Sequence, residues 1–326
     1  MRNFDYTRAA DPAQAINFHA QLPSSYLAGG TTLLDLMKID VMRPQRVVDV
    51  NRLPLNKIEP LTDGRLRIGA MVTNTALAND AKIISDYPVL SQALLSGATT
   101  QLRNKATTAG NVMQRVRCGY FRDGVSPCNK REPHSGCAAV GGQNRSVHAV
   151  LGTTDHCIAS HPSDMCVAMA AIGATIHVQG PRGERDINFL DFHLLPGNTP
   201  WQEHALQNDE LITHIVLDRP IAGSKSGYLK LRDRASYQFA LASSAIIVAT
   251  EGGVIKDARI ALGGVATKPW RASNAEAALI GQQPTLENFQ RVAMIAMQGA
   301  IPYKHNAYKI PLGQQAIVRN LQTLFA

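Results

Sequence analysis

Four cysteines lie close together in the middle of this 326-residue sequence, and their grouping is its first sign of chemistry. The four are Cys118, Cys128, Cys137 and Cys157. Four thiolates are the ligand set of a 4Fe–4S cluster, but zinc could take the same cysteines or a mixture with His134, His148 and His156. The spacings of 10, 9 and 20 residues include no Cys-x-x-Cys pair. Because thiolates suit both metals, spacing alone leaves zinc and iron–sulfur about equally favoured.

The fifth cysteine, Cys166, belongs to a different environment. It falls in an apolar stretch with Met165, Met169 and Ile172, so we predict a buried free thiol rather than a metal ligand. An odd number of cysteines without a secretory signal pattern does not favour a disulfide framework. Four unpaired thiols in one loop are not favoured either, because they would be prone to oxidation.

Two short glycine-containing loops could hold a phosphate group. The first glycine loop consists of Tyr26, Leu27, Ala28, Gly29, Gly30, Thr31, Thr32, Leu33 and Leu34, and the second consists of Thr107, Thr108, Ala109, Gly110 and Asn111. Glycines let the backbone approach an anion closely, and successive N–H groups and threonine hydroxyls can donate to it. Neither loop matches G-x-G-x-x-G or G-x-x-x-x-G-K-[ST], so each by itself could be a plain turn.

Short strands alternating with helices are expected to position these loops. Strand composition is found at residues 45–50 and 66–71, and helical periodicity at 75–80 and 87–97. Residues 113–160, which we call the cysteine segment, have no sustained periodicity. An ordinary connection has about 4–6 residues, so a segment this long is expected to be functional or disordered. A helix capped by Ser163 follows it, over residues 163–174.

Composition describes a globular chain of about two domains. Hydrophobic residues make up 45% of the chain and charged residues 18%, which excludes a disordered chain or a coiled coil. No apolar run approaches the roughly 18 residues of a membrane span, so none is expected. The net charge of +8 suits acidic partners. A nucleic-acid partner is not expected, because only Tyr120 and Phe121 interleave with the basic residues of 101–134 and no nucleic-acid motif is present.

Six motifs follow one another along the chain. They are Leu27-Ala-Gly-Gly-Thr-Thr-Leu-Leu-Asp-Leu-Met-Lys38, Ile68-Gly-Ala-Met-Val-Thr73, Gln101-Leu-Arg-Asn-Lys-Ala-Thr-Thr-Ala-Gly-Asn111, Pro162-Ser-Asp164, Glu210-Leu-Ile212 and Lys230-Leu-Arg-Asp-Arg234. Together they resemble the FAD-binding subunits of molybdenum hydroxylases, the group of xanthine dehydrogenase, carbon monoxide dehydrogenase and aldehyde oxidoreductase. The resemblance implies an α+β fold, with a two-lobed FAD-binding domain of the vanillyl-alcohol-oxidase (PCMH) type over residues 1–220. A smaller α+β C-terminal domain would occupy 224–326.

The resemblance also implies roles for individual residues. The FAD pyrophosphate would lie against the two glycine loops, Asp164 and Lys230 would contact the flavin, and Ile212 would line the site. Without the resemblance, Asp164 would be read as a surface or helix-capping residue and Lys230 as a solvated one. The cysteine segment looks most like the inserted loop of the three-subunit bacterial aldehyde oxidoreductases, which implies a 4Fe–4S cluster on Cys118, Cys128, Cys137 and Cys157. No catalytic residue is expected in this chain.

The function implied by the resemblance is electron transfer. An aldehyde would be oxidised at a molybdenum cofactor on a large partner subunit, and electrons would pass through 2Fe–2S clusters of a small partner subunit to the FAD of this chain. They would then reach an external acceptor, which stays open because Tyr237-Gln-Phe-Ala240 departs from the usual pattern beside the flavin. The heterotrimer would be periplasmic by co-export with a signal-bearing partner, or alternatively cytoplasmic. Other readings are a zinc-stabilised basic binding module and a free-standing flavin oxidase.

Overall fold

The computed structural model describes all residues from 1 to 326. Twelve strands are present: β1 Asp5–Arg8, β2 Ser24–Leu27, β3 Arg46–Asp49, β4 Ile58–Pro60, β5 Leu66–Gly69, β6 Ala174–Gly180, β7 Gly183–Asn188, β8 Leu211–Leu217, β9 Lys225–Leu231, β10 Ala242–Glu251, β11 Val254–Gly263 and β12 Trp270–Arg271. Fourteen helices accompany them: α1 Pro12–Gln21, α2 Leu33–Lys38, α3 Asn74–Ala78, α4 Ala81–Asp86, α5 Pro88–Ser96, α6 Thr100–Arg103, α7 Thr108–Val112, α8 Gly119–Arg122, α9 Ala138–Gly141, α10 Asp164–Ile172, α11 Phe189–Phe192, α12 Ser273–Leu279, α13 Leu286–Ala296 and α14 Lys309–Phe325.

The strands form three separate sheets. The first sheet is small and parallel, with the order β1-β3-β2. The second is antiparallel, with the order β4-β5-β8-β6-β7. The third is also antiparallel, with the order β12-β11-β10-β9. Helices α12, α13 and α14 pack with the third sheet around its own apolar core. Helices and mainly antiparallel sheets are thus segregated, and the predicted α+β class is confirmed.

Helix α10 lies in the middle of the molecule, between the second and third sheets. Seven of its nine residues are buried, and they share one apolar core with side chains of both sheets, such as Ile215 and Ala245. A helix that is apolar all round is stable only when it is enclosed in this way. The predicted cap is confirmed, since the Ser163 hydroxyl oxygen accepts a hydrogen bond from the N–H of Cys166 at 3.1 Å. The chain at Ser163 and Asp164 is therefore held firmly.

The cysteine segment has little regular structure, as its lack of periodicity predicts. Only the one-turn helices α8 and α9 interrupt it. Its last part is fastened to residues near the C-terminus, because the N–H of Val150 donates to the carbonyl of Val265 at 2.8 Å and Asn306 donates to the carbonyl of Ala149 at 3.0 Å. Fully buried Lys309 donates to the carbonyls of Ser146 and Gly264 at 2.7 and 2.6 Å. Packing and hydrogen bonds therefore order this irregular segment.

None of the helices combines the length and the apolar character that crossing a bilayer requires.

Candidate functional site

The first glycine loop presents a row of free backbone donors. It connects the end of β2 to the start of α2. The N–H groups of Gly29, Gly30, Thr31 and Thr32 donate no hydrogen bond within the chain. Gly30 has φ +73°, a left-handed conformation that other residues rarely adopt. Successive N–H groups around such a turn form a concavity that suits an anion, and a diphosphate fits this chemistry.

The first glycine loop touches the backbone of the residues that lead into the second one. A Cβ atom placed on Gly29 would lie 1.8 Å from the carbonyl oxygen of Lys105, just before the second loop. Real Cβ atoms never come this close to another atom, so only glycine permits the contact. The first loop is thus packed against the entrance to the second loop, although the two are far apart in sequence.

The second glycine loop uses most of its polar groups internally. Thr108 is fully buried, and its hydroxyl donates to the carbonyl of Val72 at 3.0 Å. Thr107 caps α7 by accepting from the N–H of Gly110 at 3.2 Å. Asn111 accepts a hydrogen bond from Ser163 at 2.7 Å, which ties this loop to the start of α10. The second loop therefore has mainly a structural role and offers a ligand fewer donors than the first.

Asp164 and Lys230 form a buried ion pair. The ammonium of Lys230 lies 2.7 Å from a carboxylate oxygen of Asp164, and the two side chains are only 3% and 9% exposed. Tyr228 donates its hydroxyl to the other carboxylate oxygen at 2.6 Å. The alternative interpretations, a surface position for Asp164 and a solvated Lys230, are therefore wrong. The residue that caps α10 is Ser163, not Asp164. Sequence reasoning missed Tyr228, because no local pattern marks a residue that contacts Asp164 across 64 positions.

A shallow cleft opens beside this ion pair. Ser163 and Asp164 form part of its wall, and Arg117 and Phe239 stand across it. Ile212 does not line this cleft; it is buried in β8 within the central apolar core. The hydrogen bond between Ser163 and Asn111 therefore links the second glycine loop to the residue next to Asp164, whereas Ile212 belongs to the core.

The four cysteines of the cysteine segment meet around one cavity. Cys118, Cys128, Cys137 and Cys157 line this cavity together with mainly apolar neighbours. All four are free thiols, and three of them are buried. Burial raises the pKa of Cys118 to about 12 and that of Cys157 to about 11. Thiolates here would be costly without a positive charge to compensate them, and a metal centre supplies one.

The separation of the sulfur atoms bears on the kind of metal centre. Four thiolates around one zinc ion at about 2.3 Å stand only about 3.8 Å from one another. No three of the four sulfur atoms lie within 4.8 Å of one another in this structure. The four sulfur atoms are therefore not already arranged as the tetrahedron of a single zinc ion.

The candidate histidine ligands divide into two kinds. His148 Nε2 lies 3.3 Å from the sulfur of Cys118, and His156 lines the cysteine cavity. His134 is exposed and packs against the ring of Trp201, with 4.9 Å between ring centroids, so it takes no part in the cavity. A mixed site that includes His134 is therefore not formed.

A second grouping, which the sequence did not predict, contains His161, Cys166 and His193. Their ligand atoms lie within 4.8 Å of one another. Nδ1 of His161 accepts from the N–H of Ser163 at 3.3 Å, so its Nε2 carries the ring proton and cannot bind a metal. Nε2 of His193 donates to the carbonyl of Val112 at 3.1 Å. Cys166 is fully buried and free, as predicted, and the grouping is a packed polar pocket behind the cleft.

The basic residues around the cysteines are mostly paired inside the protein. Arg115 and Lys130 lie 2.6 and 3.4 Å from carboxylate oxygens of Glu203. Arg122 lies 2.7 Å from Asp35. Because these charges are engaged within the fold, they do not form an open basic surface for a nucleic acid.

An α+β chain with a donor-rich glycine loop and a cysteine-lined cavity has the features of a chain that binds an anionic cofactor and a metal centre. Residues 2–220 match the family described as the FAD-binding domain in molybdopterin dehydrogenase, and residues 227–324 match the CO dehydrogenase flavoprotein C-terminal domain. The chain belongs to the FAD-binding subunits of the molybdenum hydroxylase family. The predicted family, the FAD cofactor and the assignment as an oxidoreductase subunit are thereby confirmed.

Individual relatives agree with this family. The chain is 47% identical over 319 residues to the aldehyde oxidoreductase FAD-binding subunit PaoB of Escherichia coli strain K12, covering 97% of this chain and 96% of the relative. It is 28% identical to the glyceraldehyde dehydrogenase medium chain of Sulfolobus acidocaldarius, covering 86% and 82% of the two chains. Among solved structures, carbon monoxide dehydrogenase from Hydrogenophaga pseudoflava superimposes with a TM-score of 0.78 at 25% identity, covering 99% of this chain and 98% of that chain.

Proposed function

We propose that this chain is the FAD- and 4Fe–4S-containing electron-transfer subunit of a molybdenum-dependent aldehyde oxidoreductase. It takes electrons from 2Fe–2S clusters of a small partner subunit and passes them to an external acceptor. The aldehyde is oxidised at the molybdenum cofactor of a large partner subunit. The observation that carries the proposal is the conjunction, in one chain, of a donor-rich glycine loop and a four-cysteine cavity.

The glycine loops support the placement of FAD. The four free N–H groups of Gly29 to Thr32 would donate to the diphosphate, and the close approach at Gly29 keeps that loop fixed against the second one. Asp164 has both oxygens engaged, so it is held rigidly at the edge of the cleft, where it can accept from a ribityl or ribose hydroxyl. FAD supplies the capacity to collect two electrons and to release them singly or in pairs. The chain's own residues bind and orient it.

The cysteine cavity supports the placement of a 4Fe–4S cluster on Cys118, Cys128, Cys137 and Cys157. No three of the four sulfur atoms lie within 4.8 Å of one another, which favours the larger core of a cluster over one zinc ion. Lys130 lines the cavity and lowers the cost of a thiolate at Cys157. An anionic cluster would gain from this cation.

Likeness to PaoB supports the aldehyde substrate class and the heterotrimer, since that relative is described as a subunit of an aldehyde oxidoreductase. The periplasm, reached by co-export with a signal-bearing partner, is our proposal for the compartment, and the cytoplasm is the alternative. Cell fractionation of the native host with an antibody to this chain distinguishes the two.

The test is the visible spectrum of the purified chain under anaerobic conditions, with flavin, iron and zinc measured on the same sample. We expect flavin bands over a broad iron–sulfur absorption, and about four irons per FAD. A colourless protein with one zinc would contradict the proposal and favour the zinc-stabilised binding module. Flavin without iron would remove the four-cysteine assignment, and turnover with dioxygen and aldehyde in the absence of partners would favour a free-standing flavin oxidase.

A further inference from the structure

Arg117 is a largely enclosed cation without hydrogen bonds in this chain. Its side chain is 15% exposed, its Nε has no partner although it is buried, and none of its N–H groups donates a hydrogen bond within 3.5 Å. The nearest carboxylate oxygen, on Asp35, lies 3.8 Å from Nη1 and is already bound by Arg122 at 2.7 Å. A buried donor without a partner costs free energy, so the Nε–H group of Arg117 is expected to have a partner that the chain itself does not provide.

The position of Arg117 indicates what that partner is. Its guanidinium lies 5.0 Å from the ring centroid of Phe239, and both side chains line the cleft that Asp164 borders. The next residue in the chain, Cys118, lines the cysteine cavity. Two consecutive residues therefore face the two proposed cofactor sites, and the segment that carries the cysteines also delivers a positive charge to the cleft.

We propose that Arg117 contacts the isoalloxazine ring of FAD in this cleft and stabilises the negative charge that the ring gains on reduction. This rests on the proposed function, because it takes the cleft beside Asp164 as the flavin site. Flavin that takes up two electrons and one proton becomes an anion, and the charge lies on the carbonyl edge of its pyrimidine ring. A planar guanidinium with free N–H groups matches such an edge and favours the reduced form over the oxidised one. Arg117 is thus a residue that tunes the flavin potential.

The test is an anaerobic potentiometric titration of the flavin in the assembled protein, for the native chain, Arg117→Gln and Arg117→Lys. We expect Arg117→Gln to weaken the preference for reduced flavin about tenfold, which lowers the two-electron midpoint potential by about 30 mV. FAD and iron content should stay unchanged, and Arg117→Lys should restore most of the potential because it keeps the charge. Arg145→Gln is the matched control, because Arg145 lies in the same segment and its side chain is 60% exposed. The flavin potential of this variant should equal that of the native protein.

Three results would overturn the inference. An unchanged flavin potential in Arg117→Gln with full FAD content would show that Arg117 does not contact the isoalloxazine ring. Loss of FAD with a native potential in the remaining flavin would assign Arg117 to the diphosphate instead. Loss of iron or of folded protein in both variants would make its role structural. Native protein without any FAD would contradict the proposed function itself, and that result is distinct from these three.

Discussion

The first glycine loop and the cysteine cavity offer ligand groups in opposite ways. The glycine loop offers backbone N–H groups, which every residue has, and its glycines serve only to let the backbone come close. The cysteine cavity offers four side chains drawn from 40 residues of irregular chain, and its backbone is fastened to distant parts of the protein. A loop built from backbone donors is specified locally, whereas a cavity built from scattered side chains depends on the whole fold. The two regions should therefore fail independently and for different reasons.

The largest effect is expected for Gly29→Val. A Cβ at this position would overlap the carbonyl of Lys105, so the two glycine loops would have to separate. We expect the variant to lose most of its FAD while it keeps its iron, as measured by flavin and iron content of the purified protein. Gly141→Ala is the control, because nothing lies within 4 Å of the added carbon. Full flavin content in Gly29→Val would mean that the first loop is a plain turn without a role in FAD binding.

The converse change is Cys128→Ala, compared with Cys166→Ala. Cys128 lines the cysteine cavity, whereas Cys166 is buried elsewhere on α10. We expect Cys128→Ala to lose iron and Cys166→Ala to retain it, by iron analysis and visible absorption of both proteins. Iron loss in both variants, or in neither, would contradict the choice of ligands. Retention of FAD in Cys128→Ala would show that FAD binding does not depend on the metal centre.

The buried ion pair between Asp164 and Lys230 is expected to matter for stability. Asp164→Asn leaves the Lys230 charge buried without a carboxylate, and breaking a buried pair in this way costs about 3–5 kcal/mol. The free energy of unfolding in urea, measured with FAD in excess, should fall accordingly. Asp209→Asn breaks the exposed pair with Arg182 and should cost less than about 1 kcal/mol. Equal effects of the two variants would contradict the burial argument.

The smallest effect concerns pH. Burial lowers the pKa of His193 to about 4, well below its ordinary value of 6.5. The unfolded chain thus binds a proton more readily than the folded one, so the stability from neutral His193 is present above pH 6.5 and is lost as pH falls toward 4. We expect His193→Gln to flatten the urea-unfolding stability curve between these pH values. A curve with the native slope in that interval would show that His193 does not titrate as a buried group.

Features that depend on neighbouring residues could be predicted from the sequence. The Ser163 cap, the strands predicted at 45–50 and 66–71 and the helices predicted at 75–80 and 87–97 all rest on a few adjacent residues. The structure shows each of them, as the start of α10 and as β3, β5, α3 and α5. The burial of Cys166 followed from its apolar helix. The motifs in their order identified the family, because together they span nearly the whole chain.

Features that join distant residues were decided only by the tertiary structure. Asp164 and Lys230 are 66 positions apart, and neither residue type nor spacing showed that they would pair in the interior. The free guanidinium of Arg117 and the fastening of the cysteine segment by Lys309 likewise depend on elements that meet across the fold. The sequence by itself therefore determined the family and its FAD cofactor, since these follow from motifs of residue types in a fixed order. The tertiary structure decided which charges are buried, paired or free, since burial and pairing exist only once distant segments are packed together.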